Sequence, residues 1–293
     1  MKQMTDLNNI QPNSEMSPGL YILATPIGNL LDLSIRAKFI LESADAILCE
    51  NTLHTSKLLK HYDIRTTTIA YHEHNASKVR PKIINRLVKG EVLALVSDAG
   101  TPLLADPGYK LVRDAIDNNI MISGVPGPNA GIFSLVISGL PTNRYLFLGF
   151  LSAKSQARKT ELKEFSKVNA SLIIYESPLR LHSLLQDAYE CLGMRDCAVA
   201  RELTKYHEEV KRGTLFELAN QFSSLNPPKG EITLVIGPPN KYNKTEINEA
   251  TDKELNSLLT QMSVKDAVNS ISGKSGIQRR LIYERAIYLK NKH

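Results

Sequence analysis

Four carboxylates, Glu50, Asp98, Glu176 and Glu202, stand at or just beyond the ends of short apolar runs. Three cations, Arg180, Arg201 and Lys205, lie close to the last two in sequence. Carboxylates beside exposed backbone carbonyls suit a positively charged ligand, and clustered cations suit an anionic one. A sulfonium methyl donor paired with a phosphate-bearing acceptor satisfies both. Each carboxylate also has a plainer reading, as a helix cap or as the partner of an arginine, with Glu202 beside Arg201 an instance. His72 and His74 alternate along an extended segment, but no third ligand stands at a metal spacing, so cleft or surface histidines and no metal site are expected.

Other catalytic patterns are excluded by position. Gly273-Lys274-Ser275 is not a phosphate loop, because the required glycine five residues earlier is Val268 and the segment follows a helix. Gly124, Gly127 and Gly131 do not form a dinucleotide fingerprint. No nucleophile elbow, catalytic cysteine signature or zinc spacing occurs.

The candidate groups are positioned by alternating elements, and the stretch VLALVSDAGTPLLADPG, Val92 to Gly108, is central to them. Val92 to Val96 reads as a strand buried on both faces. A long polar loop follows, with Asp106 as the expected N-cap and Pro107 as the first residue of a helix. Repeated strand–loop–helix units from Gly19 to Ser138 specify a parallel, doubly wound sheet. The loops after its strands lie along one edge, where open α/β folds bind ligands. A boundary at Gly139-Leu-Pro-Thr-Asn143 leads into a second, smaller α/β unit with an edge strand expected at Glu208 to Arg212, and Pro238-Pro239-Asn240 starts a linker. The expected organisation is a tail over residues 1–18, α/β domains over 19–138 and 139–239, and a linker and helical module over 240–293. Gly273 and Gly276 punctuate the last two helices of that module into a hairpin or helix-turn-helix-like arrangement.

The 293 residues carry a formal net charge of +6, compatible with nucleic acid as a partner. No apolar run approaches the roughly 20 residues of a membrane span. The first residues lack the apolar core of a secretory signal and read as a disordered tail. Three cysteines, Cys49, Cys191 and Cys197, neither pair evenly nor match a metal spacing, which points to a reducing compartment and hence the cytoplasm.

The segments ATPIGNLLDLS, CENTLHTSKLL, HEHN, SDAGTPLLADPG, GVPGPNA, GLPTNRYLFLGFL, IYESPLRL, ARELTKYHEE and KGEITLVIG follow one another from Ala24 to Gly237. In content and order they resemble the bacterial small-subunit ribosomal RNA cytidine 2′-O-methyltransferases, which have the tetrapyrrole-methylase-like fold. The resemblance implies an α/β two-domain protein, with a parallel doubly wound N-terminal sheet, a smaller mixed-sheet domain and a C-terminal helical module. It implies a homodimer that uses S-adenosylmethionine to methylate a cytidine ribose in 16S RNA of the small ribosomal subunit. Carried onto this chain, the donor lies against Pro26, and against Asp98, Ala99, Gly100, Leu103, Leu104 and Ala105 of the central loop. Asn129 and Ala130 follow the fifth strand, and Tyr175, Arg201, Glu202 and Ile232 come from the second domain.

A ribose hydroxyl must lose its proton, and Glu50, Glu176 and Glu202 are the candidate bases, with His74 behind them. Asp98 is read as ordering the donor loop. RNA contact falls to Lys154, Arg158, Arg180, Lys205, Lys211 and Arg212, and to Lys274, Arg279, Arg280 and Arg285 near the C-terminus. The chain departs from the family pattern at Asn51 and Leu53, where an acidic residue and an arginine are usual. It departs again at Asn129 and Leu179, where serine and histidine are usual. Those departures support one alternative, a non-catalytic ribosome-binding relative. A second alternative is methylation of a small molecule such as a tetrapyrrole.

Overall fold

The computed structural model describes residues 16–222, 225–239, 247, 249–275, 277 and 279–291. Most of the expected tail and linker, and Gly276, lie outside the described residues. The chain parts into two compact units, one ending at Pro239 and the other beginning at Asn240.

The first unit opens with strands β1 (Gly19–Leu23), β2 (Ala46–Cys49), β3 (Thr68–Ala70), β4 (Val92–Leu95) and β5 (Ile122–Val125). Between and after them run helices α1 (Ile35–Ser43), α2 (Thr52–His61), α3 (Ala76–Val88), α4 (Tyr109–Asp117) and α5 (Ala130–Ser138). All strand pairs are parallel, in the order β3-β2-β4-β1-β5. The two-residue period of a strand divides the central side chains between two cores. Ile47, Cys49, Val92 and Ala94 pack with Ala37, Leu41, Leu58 and Leu59 of α1 and α2. Ala46, Leu48, Leu93 and Leu95 pack with Ile83, Leu87, Leu111 and Ala115 of α3 and α4. Neighbouring strands β1 and β4 therefore send their helices to opposite faces, and the loops leaving them part to open a crevice.

Local chemistry sets several boundaries, one of them differently from the expectation. α2 begins at Thr52, because the Asn51 side chain accepts hydrogen bonds from the backbone N–H groups of Leu53 and His54. Asp106 does not cap α4. The helix starts at Tyr109 behind Gly108, whose φ of 142° and lack of a Cβ let the chain press against Leu103 and Leu95.

The second sheet holds β6 (Tyr145–Phe150), β7 (Ser171–Glu176), β8 (Asp196–Arg201), β9 (Glu209–Thr214) and β10 (Ile232–Ile236), in the order β6-β7-β10-β8-β9. Only β6 and β7 pair in parallel, so the sheet is mixed. Helices α6 (Ser155–Glu164), α7 (Pro178–Leu192) and α8 (Leu215–Gln221) cover one face through Leu162, Leu181, Leu184, Leu185 and Leu215. On the other face, Ile173 and Val235 pack against Leu135 of α5, which ties the two sheets together.

Arg158, read from sequence as an RNA contact, is 1 % exposed. Its Nε donates to Asp187 at 2.9 Å, and Nη1 reaches the carbonyls of Ser152 and Ala153. Burial excludes it from any polynucleotide.

In the second compact unit, α9 (Glu249–Leu259), α10 (Val264–Ser275) and α11 (Arg279–Asn291) surround Leu255, Val268, Ile271, Ile282 and Ala286. Gly273 lies inside α10 and does not end it. Arg285 of α11 pairs with Asp252 of α9. No helix among the described residues is long and apolar enough to cross a membrane.

Removing one partner of a buried ion pair leaves the other charged and desolvated. Arg158→Ala is expected to lower unfolding free energy by about 3–5 kcal/mol. Urea denaturation checks this; a loss below about 1 kcal/mol, the range of an exposed pair, contradicts it.

Candidate functional site

The loop after β4, Ser97 to Gly108, is stitched to the loop after β1. Thr25 and Gly100 form an isolated antiparallel bridge, with N–H to carbonyl distances of 2.9 and 3.0 Å. The Thr25 hydroxyl donates to the Ser97 carbonyl and the Thr101 hydroxyl to the Pro128 carbonyl. Leu103 and Ala105 hold left-handed backbone at φ 72° and 68°. Non-glycine residues adopt that conformation at a cost and do so preferentially at functional sites. The β1 loop is fixed on its other side as well. A Cβ on Gly28 would lie 2.9 Å from the Leu203 carbonyl, and Asn29 N–H donates to the Thr204 hydroxyl.

A cavity of about 460 Å³ opens beneath this loop. Its walls are the 98–106 loop, the start of α5 at Asn129 and Ala130, the end of β7 from Tyr175 to Pro178, and the Gly230–Thr233 segment entering β10. Ile27, Leu104, Phe150, Tyr175 and Ile232 make much of it apolar, and its size suits one small molecule. The Tyr175 hydroxyl accepts the N–H of Gly131, which fixes the start of α5 against β7.

Of the four carboxylates lining the cavity, Asp98, Asp106, Glu176 and Glu231, two stand in unusual surroundings. Glu176 is 3 % exposed. Its Oε1 accepts the Ser177 N–H at 2.7 Å. Its Oε2 lies 3.0 Å from Arg180 Nη2, an ion pair without hydrogen-bond alignment, because that nitrogen is aimed at the Leu151 carbonyl. Glu176 Oε2 is thus a buried acceptor without a hydrogen-bond donor. Asp106 is the second. Burial pushes its carboxyl up to about 6; the Ser97 hydroxyl opposes the shift, and the Glu50 and Asp98 carboxylates add to it.

A second cavity of about 350 Å³ adjoins the first. Pro26, Gly28 and Leu30 form one side, and His54, Thr55, Lys57 and Leu58 of α2 another. The two cavities share Ile27, Asp98, Ala99 and Glu231.

Of the residues named from sequence, Asp98, Ala99, Gly100, Leu104, Ala105 and Asn129 line the larger cavity, with Ala130, Tyr175, Glu176 and Ile232. Pro26 lines the smaller one. Leu103 turns back against Gly108. Arg201 donates to Glu209 and to the Lys229 carbonyl, outside both linings. Glu50 lines neither cavity. Glu202 also lies outside them, where it accepts the Glu231 N–H and pairs with Lys205; these contacts hold its carboxyl below the usual range.

The cations expected at RNA are largely occupied. Arg180 binds the Leu151 carbonyl and Glu176, Lys205 bridges Glu202 and Glu231, and Arg212 donates to the Ser138 and Ile137 carbonyls. In the C-terminal unit Arg280 pairs with Glu284, while Arg279 is exposed. Asp106, Phe150, His54 and Lys57 were missed from sequence. For Asp106 the available signal was Gly108, which separates it from the helix it was expected to cap. No cluster of metal-ligating side chains occurs among the described residues.

Residues 19–219 match the tetrapyrrole (corrin/porphyrin) methylases as a family. The chain is 43 % identical over 281 residues to the ribosomal RNA small subunit methyltransferase I of Mesorhizobium japonicum, covering 96 % of this chain and 95 % of that protein. It is 40 % identical over 269 residues to the same-named protein of Halalkalibacterium halodurans, covering 90 % and 93 %. Among solved structures, uroporphyrin-III C-methyltransferase from Thermus thermophilus, complexed with S-adenosylhomocysteine, shares the fold at a TM-score of 0.52 and 15 % identity, over 74 % of this chain and 96 % of that one.

The raised Asp106 carboxyl makes stability depend on pH. Between its ordinary 3.8 and about 6, the folded state keeps a proton that the unfolded chain releases, so this group's contribution to stability falls as pH rises through that window. Asp106→Asn is expected to stabilise the protein at neutral pH by on the order of 1 kcal/mol, with no gain below about pH 4. Thermal melts across that range check it; parallel curves for variant and parent would rule it out.

Proposed function

The chain belongs to the tetrapyrrole (corrin/porphyrin) methylases and, within them, to the ribosomal RNA small subunit methyltransferases I; on that premise we propose that it methylates the ribose 2′-hydroxyl of a cytidine in 16S ribosomal RNA. The coarser statement, methylation of small-subunit ribosomal RNA from S-adenosylmethionine, follows from that membership. The choice of a cytidine ribose rests on the resemblance of the motifs from ATPIGNLLDLS to KGEITLVIG.

The observation that carries the reading is the pair of adjoining cavities with Asp98 in their common wall. The larger one fits S-adenosylmethionine. Glu176 places a carboxylate in its wall, and the ammonium and ribose hydroxyls of that molecule are donors. Ile27, Leu104, Phe150 and Ile232 offer apolar surface to a purine. S-adenosylmethionine supplies a methyl group on a sulfonium sulfur, already activated for displacement. The protein's task is then alignment, and the rigid 97–108 loop and the pinned start of α5 serve it.

The acceptor hydroxyl needs a base within reach. We assign that role to Asp98; of the two carboxylates common to both cavities, Glu231 is paired with Lys205. Asp98 Oδ1 accepts the Asn51 N–H at 3.2 Å, which orients the group. Glu202, held below its usual range by the Glu231 N–H and Lys205, is a poor base. Glu176 is better suited to binding the donor, and Glu50 acts at a distance through its charge.

A homodimer accords with the exposed apolar side chains of Ile132, Phe133 and Val136 along α5. Cytoplasmic residence accords with three free cysteines, Cys49, Cys191 and Cys197.

Small subunits from cells lacking the protein provide the substrate for the test. Purified protein should add a methyl group to one cytidine ribose in their RNA, mapped by resistance to alkaline cleavage. Asp98→Asn should lower turnover by about 10²–10⁴-fold with donor affinity nearly unchanged, whereas Glu202→Gln should change turnover only a few-fold. Methylation of a base, or of no RNA at all, would sink the reading.

A further inference from the structure

We propose that the smaller cavity is the acceptor compartment, and that Lys57 and His54 on α2 hold a phosphodiester of the RNA strand there; this rests on the function proposed above. A transfer between two bound molecules needs two compartments that meet at the reacting atoms. The cavity of about 460 Å³ has the size for one small donor, and the one of about 350 Å³ joins it along Ile27, Asp98, Ala99 and Glu231. A group seated in the smaller cavity therefore reaches the donor across Asp98.

The α2 wall of the smaller cavity suits an anion, while Asp98 and Glu231 line its other walls. His54 and Lys57 are one helical turn apart, and both face it. Both are exposed, and neither side chain has a hydrogen bond or an ion pair among the described residues. They differ in this from Arg180, Arg201, Lys205 and Arg212, whose charged groups are already engaged with carboxylates or carbonyls. The other charged groups of the lining are engaged: Asp98 Oδ1 accepts the Asn51 N–H, and Lys205 pairs with Glu202 and Glu231. The N-terminal amides of α2 do not compete for the anion, because Asn51 Oδ1 already accepts from Leu53 and His54.

Phosphate contacts of this kind position a strand without reading its sequence. Lys57 and His54 are accordingly positioning residues, separate from the proton acceptor.

The test compares the full-length parent, Lys57→Ala, Lys57→Arg and the double variant His54→Ala/Lys57→Ala. Binding to unmethylated small subunits and KM for them are measured over a salt series, and the affinity for S-adenosylmethionine by calorimetry. Lys57→Ala is expected to raise KM and Kd for subunits about 10-fold and to reduce the salt slope by about one, with donor affinity and saturated turnover unchanged. Lys57→Arg should restore most of the binding. Unchanged subunit affinity in the double variant would overturn the proposal. So would a loss of donor affinity in Lys57→Ala, which would place the donor's own carboxylate in this cavity. If the parent binds subunits with the expected dependence on Lys57 but methylates none of them, the docking site stands and the catalytic reading falls.

Discussion

The bridge between Thr25 and Gly100 is the constraint on which the site depends. Two loops leave neighbouring parallel strands toward opposite faces of the sheet, and nothing in the sheet's own hydrogen bonding holds their far ends together. A pair of backbone hydrogen bonds does so, with the Thr25 hydroxyl on the Ser97 carbonyl as a third link. Gly100 sits at φ +79°, and a Cβ there would lie 3.3 Å from Ile27. The bridge therefore requires a residue that tolerates both a left-handed backbone and close approach. Once closed, it sets Asp98 and Ala99 in the wall between two cavities.

The second half of the molecule completes the site through packing. α5 belongs by sequence to the first sheet, but Leu135 buries against Ile173 and Val235 of the second. The Tyr175 hydroxyl meets the N–H of Gly131 at the same seam. The cavity wall is thus made from both sheets without a long lid. Interdigitated side chains resist small displacements, which suits a reaction governed by alignment.

Charge is distributed by what each group can reach. Most cations near the cleft neutralise carboxylates or cap carbonyls, because desolvated charges are retained only with partners. Arg158 and Arg195, 1 % exposed each, are the extreme cases and serve the second sheet's core. Lys57 and the His54 imidazole, without hydrogen-bond or ion-pair partners among the described residues, sit on a solvent-facing turn of α2 at the rim of the smaller cavity. Their freedom, rather than their number, makes them available to a ligand.

The sequence alone determined the elements and the edge on which ligands bind. Apolar runs such as Val92 to Val96 can be satisfied only by burial on two faces, and the strand–loop–helix alternation leaves few topologies. The motif resemblance carried the family as well, because its segments occur in order along nearly the whole α/β region. Tertiary structure alone decided which charged side chains are free. Asp106 reads locally as a helix cap, but the packing of Gly108 on Leu103 and Leu95 delays the helix to Tyr109, leaving Asp106 to line the cavity. Arg158 reads as a surface cation on a charged helix, and only the approach of Asp187 from α7 shows it buried. Periodicity and capping are local and so are written in sequence; ion pairing and burial depend on residues far apart in the chain, whose distances only the folded structure fixes.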